Sequence, residues 1–275
     1  MNEHCEFQSK YKAHQPNEQG FINYSDTENA VWKTLYERQL PIVKAHACPT
    51  YLEGLEKLGL THDAVPQLPD VSRALRAASA WEVVPVPALI SHEHFFQLLA
   101  HRQFPAATFI RIPEELDYVQ EPDIFHELFG HAPMLMDPTY ADFVAGYAQK
   151  VLTRNKKDWP LLQRIFWFTV EFGLIKTEKG SRAYGGGILS SPSETVYSVT
   201  SDIPERRPFD PLNAVRTPYR IDILQPIYYE IESYQQLYDF VQSDIDGLLA
   251  QARQLGEFPP RFKPDGSANE HIHFC

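Results

Sequence analysis

The sequence has 275 residues, 43% of them hydrophobic, and a formal net charge of -11. That apolar content suffices for a packed core, while the acidic balance lacks the clustered Lys and Arg that nucleic acid or an anionic membrane surface requires. No apolar run is long enough to span a bilayer, and Cys5, Cys48 and Cys275, odd in number and widely separated, fit a reducing cytoplasm better than a disulfide framework.

In chain order, residues 1–20 are polar, carry no secretory signal, and are expected to form a flexible N-terminal arm. One continuous domain is expected over 21–259, followed by a turn-rich tail over 260–275. "DTENAVWKTLYERQ" opens on cap-like Asp26 and Thr27 and reads as a helix with Val31 and Leu35 on one face. "TYLEGLEKLGL" repeats the pattern through Leu52, Leu55 and Leu58, and Asp70 is expected to cap "VSRALRAASA". "HEHFFQLLAH" reads as a helix with Phe95 and Leu98 on its buried stripe and His92, His94 and His101 at the surface. "DPTYADFVAGYAQKVL" offers Asp137 as cap and Pro138 at the first helical position, and "ESYQQLYDFVQSDIDGLLAQARQ" reads as one long helix. Strand-like pieces are few, chiefly "ATFIRI" and "RIDIL". The expected fold is mostly α with minor β, in a single catalytic domain.

The chemistry concentrates in "EPDIFHELFGH". Zinc proteases place two histidines at i and i+4, about 40° apart around a helix, whereas His126 and His131 are separated by about 140° on an ideal α-helix. A shared ion requires the helix to stop, tighten or bulge near Gly130, and Pro133 with a left-handed Gly130 supplies a reason to stop. Glu127 is then misplaced for a zincin base. Further on, "RIFWFTVEFGLIK" surrounds Glu171 with Ile165, Phe166, Trp167, Phe168, Val170, Phe172 and Leu174. A carboxylate there needs either a basic side chain or a metal. Two histidines and one carboxylate form the facial triad of non-haem Fe(II) oxygenases, which His126, His131 and Glu171 fit.

"EPDIFHELFGHAPML", then "FWFTVEFGL" and "AYGGGILSS", resembles the pterin-dependent aromatic amino acid hydroxylases. "VPVPALISHEHFFQLLAHRQFPAATFIR" and "LQPIYYEIES" extend the resemblance, which covers roughly residues 22–259. It implies the fold of that catalytic domain and a single Fe(II) on His126, His131 and Glu171. It also implies a tetrahydropterin stacked on Phe95, contacted by the preceding loop at Ile90 and flanked by Glu127. Arg111 matches the family's carboxylate-binding arginine, with Gly187 and Ser190 beside the substrate and Trp167 against its ring. Asp123 reads either as a carboxylate that orients a ligand ring or as a helix cap.

Trp167 matches the phenylalanine- and tyrosine-acting members, and Ile221 is apolar as in the phenylalanine- and tryptophan-acting ones; together they favour phenylalanine, so the resemblance implies O2-dependent para-hydroxylation of L-phenylalanine to L-tyrosine. Val119 and Gln120 depart from the Thr-Pro of animal phenylalanine-acting members. The short form resembles bacterial members: no regulatory domain, a monomer or small oligomer in the cytoplasm, and a separate dehydratase and reductase to recycle the pterin. A zinc hydrolase and a silent metal- or pterin-binding module are the rival readings, and the terminal "HIHFC" reads as tail.

Overall fold

The computed structural model describes residues 11–262. Cys5, Cys275, His271 and His273 lie outside the described residues.

The chain enters through α1 (Asp26–His46), started by a reciprocal box: the Ser25 hydroxyl accepts from the Glu28 N–H, and the Glu28 carboxylate accepts from the Ser25 N–H. The cap is therefore Ser25 rather than Asp26. α2 (Pro49–Leu58) and α3 (Leu68–Ser79) follow. α3 begins two residues before Asp70, because Pro69 suits a first helical turn; its cap is Gln67. β1 (Glu82–Val86), α4 (His92–Ala100) and β2 (Gln103–Ala107) make a parallel crossover with Glu82 opposite Gln103. His92, His94 and His101 are exposed on or beside α4.

α5 (Pro138–Leu152) is capped by Asp137 with Pro138 leading, as the sequence predicts. After α6 (Trp159–Phe166) come β3 (Gly173–Thr177), β4 (Gly180–Ala183), α7 (Gly186–Leu189), α8 (Pro192–Thr200), β5 (Glu205–Pro208), α9 (Pro211–Arg216) and β6 (Ile227–Ile231). The four strands align in the order β4-β3-β6-β5; only β3–β4 is antiparallel. The expected long C-terminal helix is two, α10 (Tyr234–Gln242) and α11 (Ile245–Leu255), because the Asp244 side chain accepts from the Gly247 N–H and starts a new helix.

Helix outweighs strand, 54% against 12%, so the mostly α expectation holds. The expected strands do not. Residues 108–112 of "ATFIRI" lie beyond β2, and "RIDIL" is loop. Nor are residues 11–20 a loose arm: the Tyr11 ring stacks on Phe109 at 4.3 Å, its hydroxyl bonds Glu115, and the Thr108 hydroxyl donates to the His14 carbonyl at 2.8 Å.

Aromatic packing behind His126 fixes the site's floor. Phe125 and Phe129 stack at 4.8 Å, and α1 meets them edge-on through Trp32 and Tyr36, each at 5.4 Å. These rings are buried, so the turn that carries the histidines cannot shift without disturbing the core.

Candidate active site

The histidine spacing is resolved by a π-helical turn over His126–His131, closed by an i to i+5 bond from the Ala132 N–H to the Glu127 carbonyl at 3.3 Å. A wider turn returns the fifth residue to nearly the same face. The helix therefore bulges where the sequence also allowed it to stop; Gly130 is not left-handed, and Ala132 stays helical at φ -59° and ψ -35° despite Pro133. The Tyr51 hydroxyl donates to the Phe129 carbonyl at 2.8 Å, satisfying a backbone acceptor inside the turn.

A second π turn, Trp167–Glu171, ends on the third residue and is closed from the Phe172 N–H to the Trp167 carbonyl at 2.8 Å. His126 Nε2 and His131 Nε2 lie 3.0 Å apart, and Glu171 Oε2 is 3.8 Å from the first and 3.3 Å from the second. The in-plane point equidistant from these three atoms is about 2.0 Å from each, so an ion at or just off the plane sits at the bond length at which nitrogen and oxygen ligands hold a divalent ion. Among the described residues this is the one His, Cys, Asp and Glu group close enough to share an ion, and no arginine or lysine pairs with Glu171.

Electrostatics favour a cation there. Burial and the adjacent His131 push His126 down to about 4, so it is neutral with a lone pair to offer. Burial pushes Glu171 up, but His131, His126 and the Gly187 N–H outweigh it and hold the carboxyl below its ordinary range. Two imidazole nitrogens and one carboxylate oxygen suit Fe(II), with positions left for other ligands.

Ser190 sets which nitrogen of His126 faces the ion. Its hydroxyl donates to the Gly186 carbonyl at 2.9 Å and so accepts from His126 Nδ1 at 2.9 Å, leaving the lone pair on Nε2. The sequence placed Ser190 beside the substrate; it lines the cavity and also orients a metal ligand. Replacing Ser190 with alanine is expected to weaken Fe(II) binding about 10- to 100-fold without unfolding the protein, measured by equilibrium metal titration. Close backbone approach completes the centre. A Cβ on Gly186 would fall 2.4 Å from the His131 ring, so only glycine lets α7 pass this ligand.

Asp123 is fully buried and accepts four bonds: the Arg111 N–H at 3.0 Å, Arg111 Nε at 2.8 Å, Arg111 Nη2 at 2.9 Å and the His126 N–H at 3.1 Å. It touches the backbone of His126, not its ring, so of the two sequence readings the helix cap is observed. Burial pushes its carboxyl up, yet Arg111 and the His126 N–H hold it below the usual aspartate range. Arg111, read from sequence as a solvated strand residue apart from the resemblance, is 7% exposed, and Asp123 occupies one edge of its guanidinium.

A cavity of about 340 Å³ opens beside the triad, lined by Arg111, His126, Trp167, Glu171, Gly187 and Ser190. Val119 and Gln120 line it too, and Ile221 lies in its lining, 68% exposed. Trp167 stands between Tyr219, stacked at 4.3 Å, and Phe172 at 4.4 Å; a Cβ on Gly187 would strike the Phe172 ring at 2.9 Å. Sequence reasoning missed Phe172, Tyr219 and Gln225, whose side-chain oxygen accepts the Trp167 indole N–H at 3.1 Å. Gln225 lay inside a quoted motif, but nothing local to it signals a bond to Trp167.

Ile90, Phe95 and Glu127 do not line this cavity. Ile90 is half-buried in the loop before α4. Phe95 is half-buried, with Phe96 and Phe166 meeting its ring edge-on at 5.5 and 5.3 Å, and among the described residues no ring stacks on its face. That suits a planar heterocycle. Glu127 is buried, and burial, Glu171 and Asp123 together raise its carboxyl well above the ordinary range. Outside the cavity, Glu127 is not placed as a zincin base would be.

The fold and the two-histidine, one-carboxylate centre define a mononuclear non-haem metal protein with an aromatic-walled cavity. The sequence matches the biopterin-dependent aromatic amino acid hydroxylase family over residues 2–247, and the chain belongs to that family. It is 52% identical over 260 residues to a phenylalanine-4-hydroxylase of Pseudomonas aeruginosa, covering 94% of this chain and 99% of the relative. A solved phenylalanine hydroxylase from Legionella pneumophila superposes with a TM-score of 0.90 at 63% identity, covering 92% of this chain and 100% of that one. A Chromobacterium violaceum phenylalanine hydroxylase, solved with bound oxidised Fe(III), gives a TM-score of 0.85 at 41% identity, with 92% of each chain covered.

Proposed function

We propose that this chain hydroxylates the para carbon of L-phenylalanine to give L-tyrosine, with O2 and a tetrahydropterin as co-substrates. The carrying observation is the His126, His131 and Glu171 triangle at the edge of a cavity that also holds a buried arginine and the Trp167 ring. Fe(II) would be held by His126, His131 and Glu171 to activate O2, and a bound tetrahydropterin would supply the two electrons that, with the two from the ring, let one oxygen atom enter the ring and the other the pterin.

The chain's own residues supply position. Arg111, steadied by Asp123, presents its remaining guanidinium edge to the substrate carboxylate. Trp167 bounds the ring, Gly187 lets the substrate approach the backbone, and Ser190 keeps His126 on the metal. Phe95 offers a stacking face to the pterin, with Ile90 in the loop beside it and Glu127 flanking it. Among the described residues no helix is long and apolar enough to cross a membrane. A cytoplasmic site accords with Cys48, buried as a free thiol. The oxidised pterin product then needs a dehydratase and a reductase supplied by other proteins, and the chain acts as a monomer or small oligomer.

The test is product analysis under ¹⁸O2 with iron-loaded protein, tetrahydropterin and each aromatic amino acid in turn. The expected result is tyrosine from phenylalanine carrying one ¹⁸O atom. Tryptophan or tyrosine as the favoured substrate would overturn the choice of ring.

A further inference from the structure

Gln225 is 1% exposed and sits between β5 and β6, outside every role assigned above. Its side-chain amide and its backbone N–H are all engaged. Its side-chain oxygen accepts the Trp167 indole N–H at 3.1 Å. Its side-chain nitrogen donates to the Arg220 carbonyl at 2.8 Å and to the Ile223 carbonyl at 2.9 Å. Its backbone N–H donates to the Glu194 carboxylate at 3.1 Å, which also accepts the Tyr228 hydroxyl. The amide cannot be flipped: two carbonyls demand the nitrogen on one side and an indole N–H demands the oxygen on the other.

These bonds reach two separate walls of the cavity. One wall is Trp167; the other is the loop of Ile221, Asp222, Ile223 and Leu224. Stacking on Tyr219 and the tilted contact with Phe172 limit the tilt of the Trp167 ring but leave it free to slide in its own plane, and a hydrogen bond at the indole nitrogen removes that freedom. Glu194, on the first turn of α8 and 5% exposed, anchors the backbone from which this amide reaches out.

We infer that Gln225 is a specificity-determining positioning residue, which fixes the distance between the Trp167 wall and the 221–224 wall and so sets the size of aromatic ring admitted, with Glu194 as its anchor. The inference rests on the reading of the cavity as the amino acid site. Gln225 touches no reacting atom and acts through Trp167 and the loop. A buried side chain that serves only the fold would lower stability without sorting substrates.

The test compares wild type, Gln225→Met and Glu194→Gln, each iron-loaded, by steady-state kinetics with phenylalanine and tryptophan and by calorimetric titration with L-phenylalanine. Gln225→Met keeps the length of the side chain and loses its hydrogen bonds. It is expected to raise the phenylalanine KM about tenfold and to reduce the phenylalanine over tryptophan ratio of kcat/KM about tenfold, with the pterin KM unchanged. Glu194→Gln is expected to move the same quantities in the same direction by about threefold, and it decides the matter if Gln225→Met does not fold. In a Trp167→Phe background the Gln225→Met effect on the ratio is expected to shrink markedly, because the two residues act as a unit. Folded variants with wild-type phenylalanine affinity and ratio, or full additivity with Trp167→Phe, would overturn the inference. Wild type that binds L-phenylalanine without forming tyrosine would instead count against the proposed reaction, and the calorimetric comparison would still decide the role of Gln225.

Discussion

Replacing Glu171 with alanine is expected to abolish stoichiometric Fe(II) binding and to lower tyrosine formation by at least about a thousandfold, the scale on which loss of a central electrostatic group is felt. Glu171 supplies the single anionic donor of the triangle, and its oxygen lies within 3.8 Å of both histidine nitrogens. Without it, His126 and His131 face each other across 3.0 Å with no charge to offset a divalent cation. The fold should survive, because the π turn that ends at Glu171 is closed by backbone atoms of Phe172 and Trp167, and β3 begins two residues later, paired with β6. Metal titration and circular dichroism on one sample separate these outcomes: retained one-to-one iron binding would remove Glu171 from the ligand set.

The second large effect is on stability. Asp123→Ala is expected to cost about 3–5 kcal/mol in urea unfolding, because it strands the buried Arg111 guanidinium without its counter-charge. It also frees the Arg111 N–H and the His126 N–H together, so Arg111 and His126 loosen in one step. The pair also fixes a pH dependence. The Asp123 carboxyl is held below its ordinary range, so its contribution is complete above the unfolded aspartate value near 3.9 and is lost only as pH falls through the lower folded value. Wild type and Asp123→Ala should therefore differ by a constant amount from pH 5 to pH 8 and converge in acid. A difference that grew toward alkaline pH would contradict this account of the pair.

The metal centre was legible because its chemistry is carried by residue types: two histidines near a glycine and one glutamate inside an apolar run. The way the backbone delivers them was not. A five-residue spacing fits a helix that ends and a helix that bulges equally well, and the choice is made by distant packing of Trp32, Tyr36 and Tyr51 against Phe125 and Phe129. The start of α5 is readable because Asp137 and Pro138 act locally, whereas the break between α10 and α11 rests on Asp244, an ordinary cap set inside a continuous helical pattern.

Strands misled more. β2 contains Pro105 and is buried on both sides, so "QFPAA" lacks the alternation that marks a strand. "RIDIL" has that alternation and forms a cavity wall instead, its Ile221 exposed rather than packed in a sheet. Arg111 illustrates the limit. Its burial depends on a carboxylate twelve residues away, and the clamp role proposed for it depends on that carboxylate holding it still. The two links from Gln225 to Trp167 and Glu194 cross 58 and 31 residues, beyond the reach of any periodicity.

The measurement closest to the central claim is a tyrosine assay on wild-type protein stripped of metal and reloaded anaerobically with either Fe(II) or Zn(II), then given L-phenylalanine, tetrahydropterin and O2. The account predicts tyrosine from the iron-loaded sample alone, one pterin oxidised per tyrosine formed, and none when pterin or O2 is withheld. Equal activity with zinc, or tyrosine formed without pterin, would contradict it.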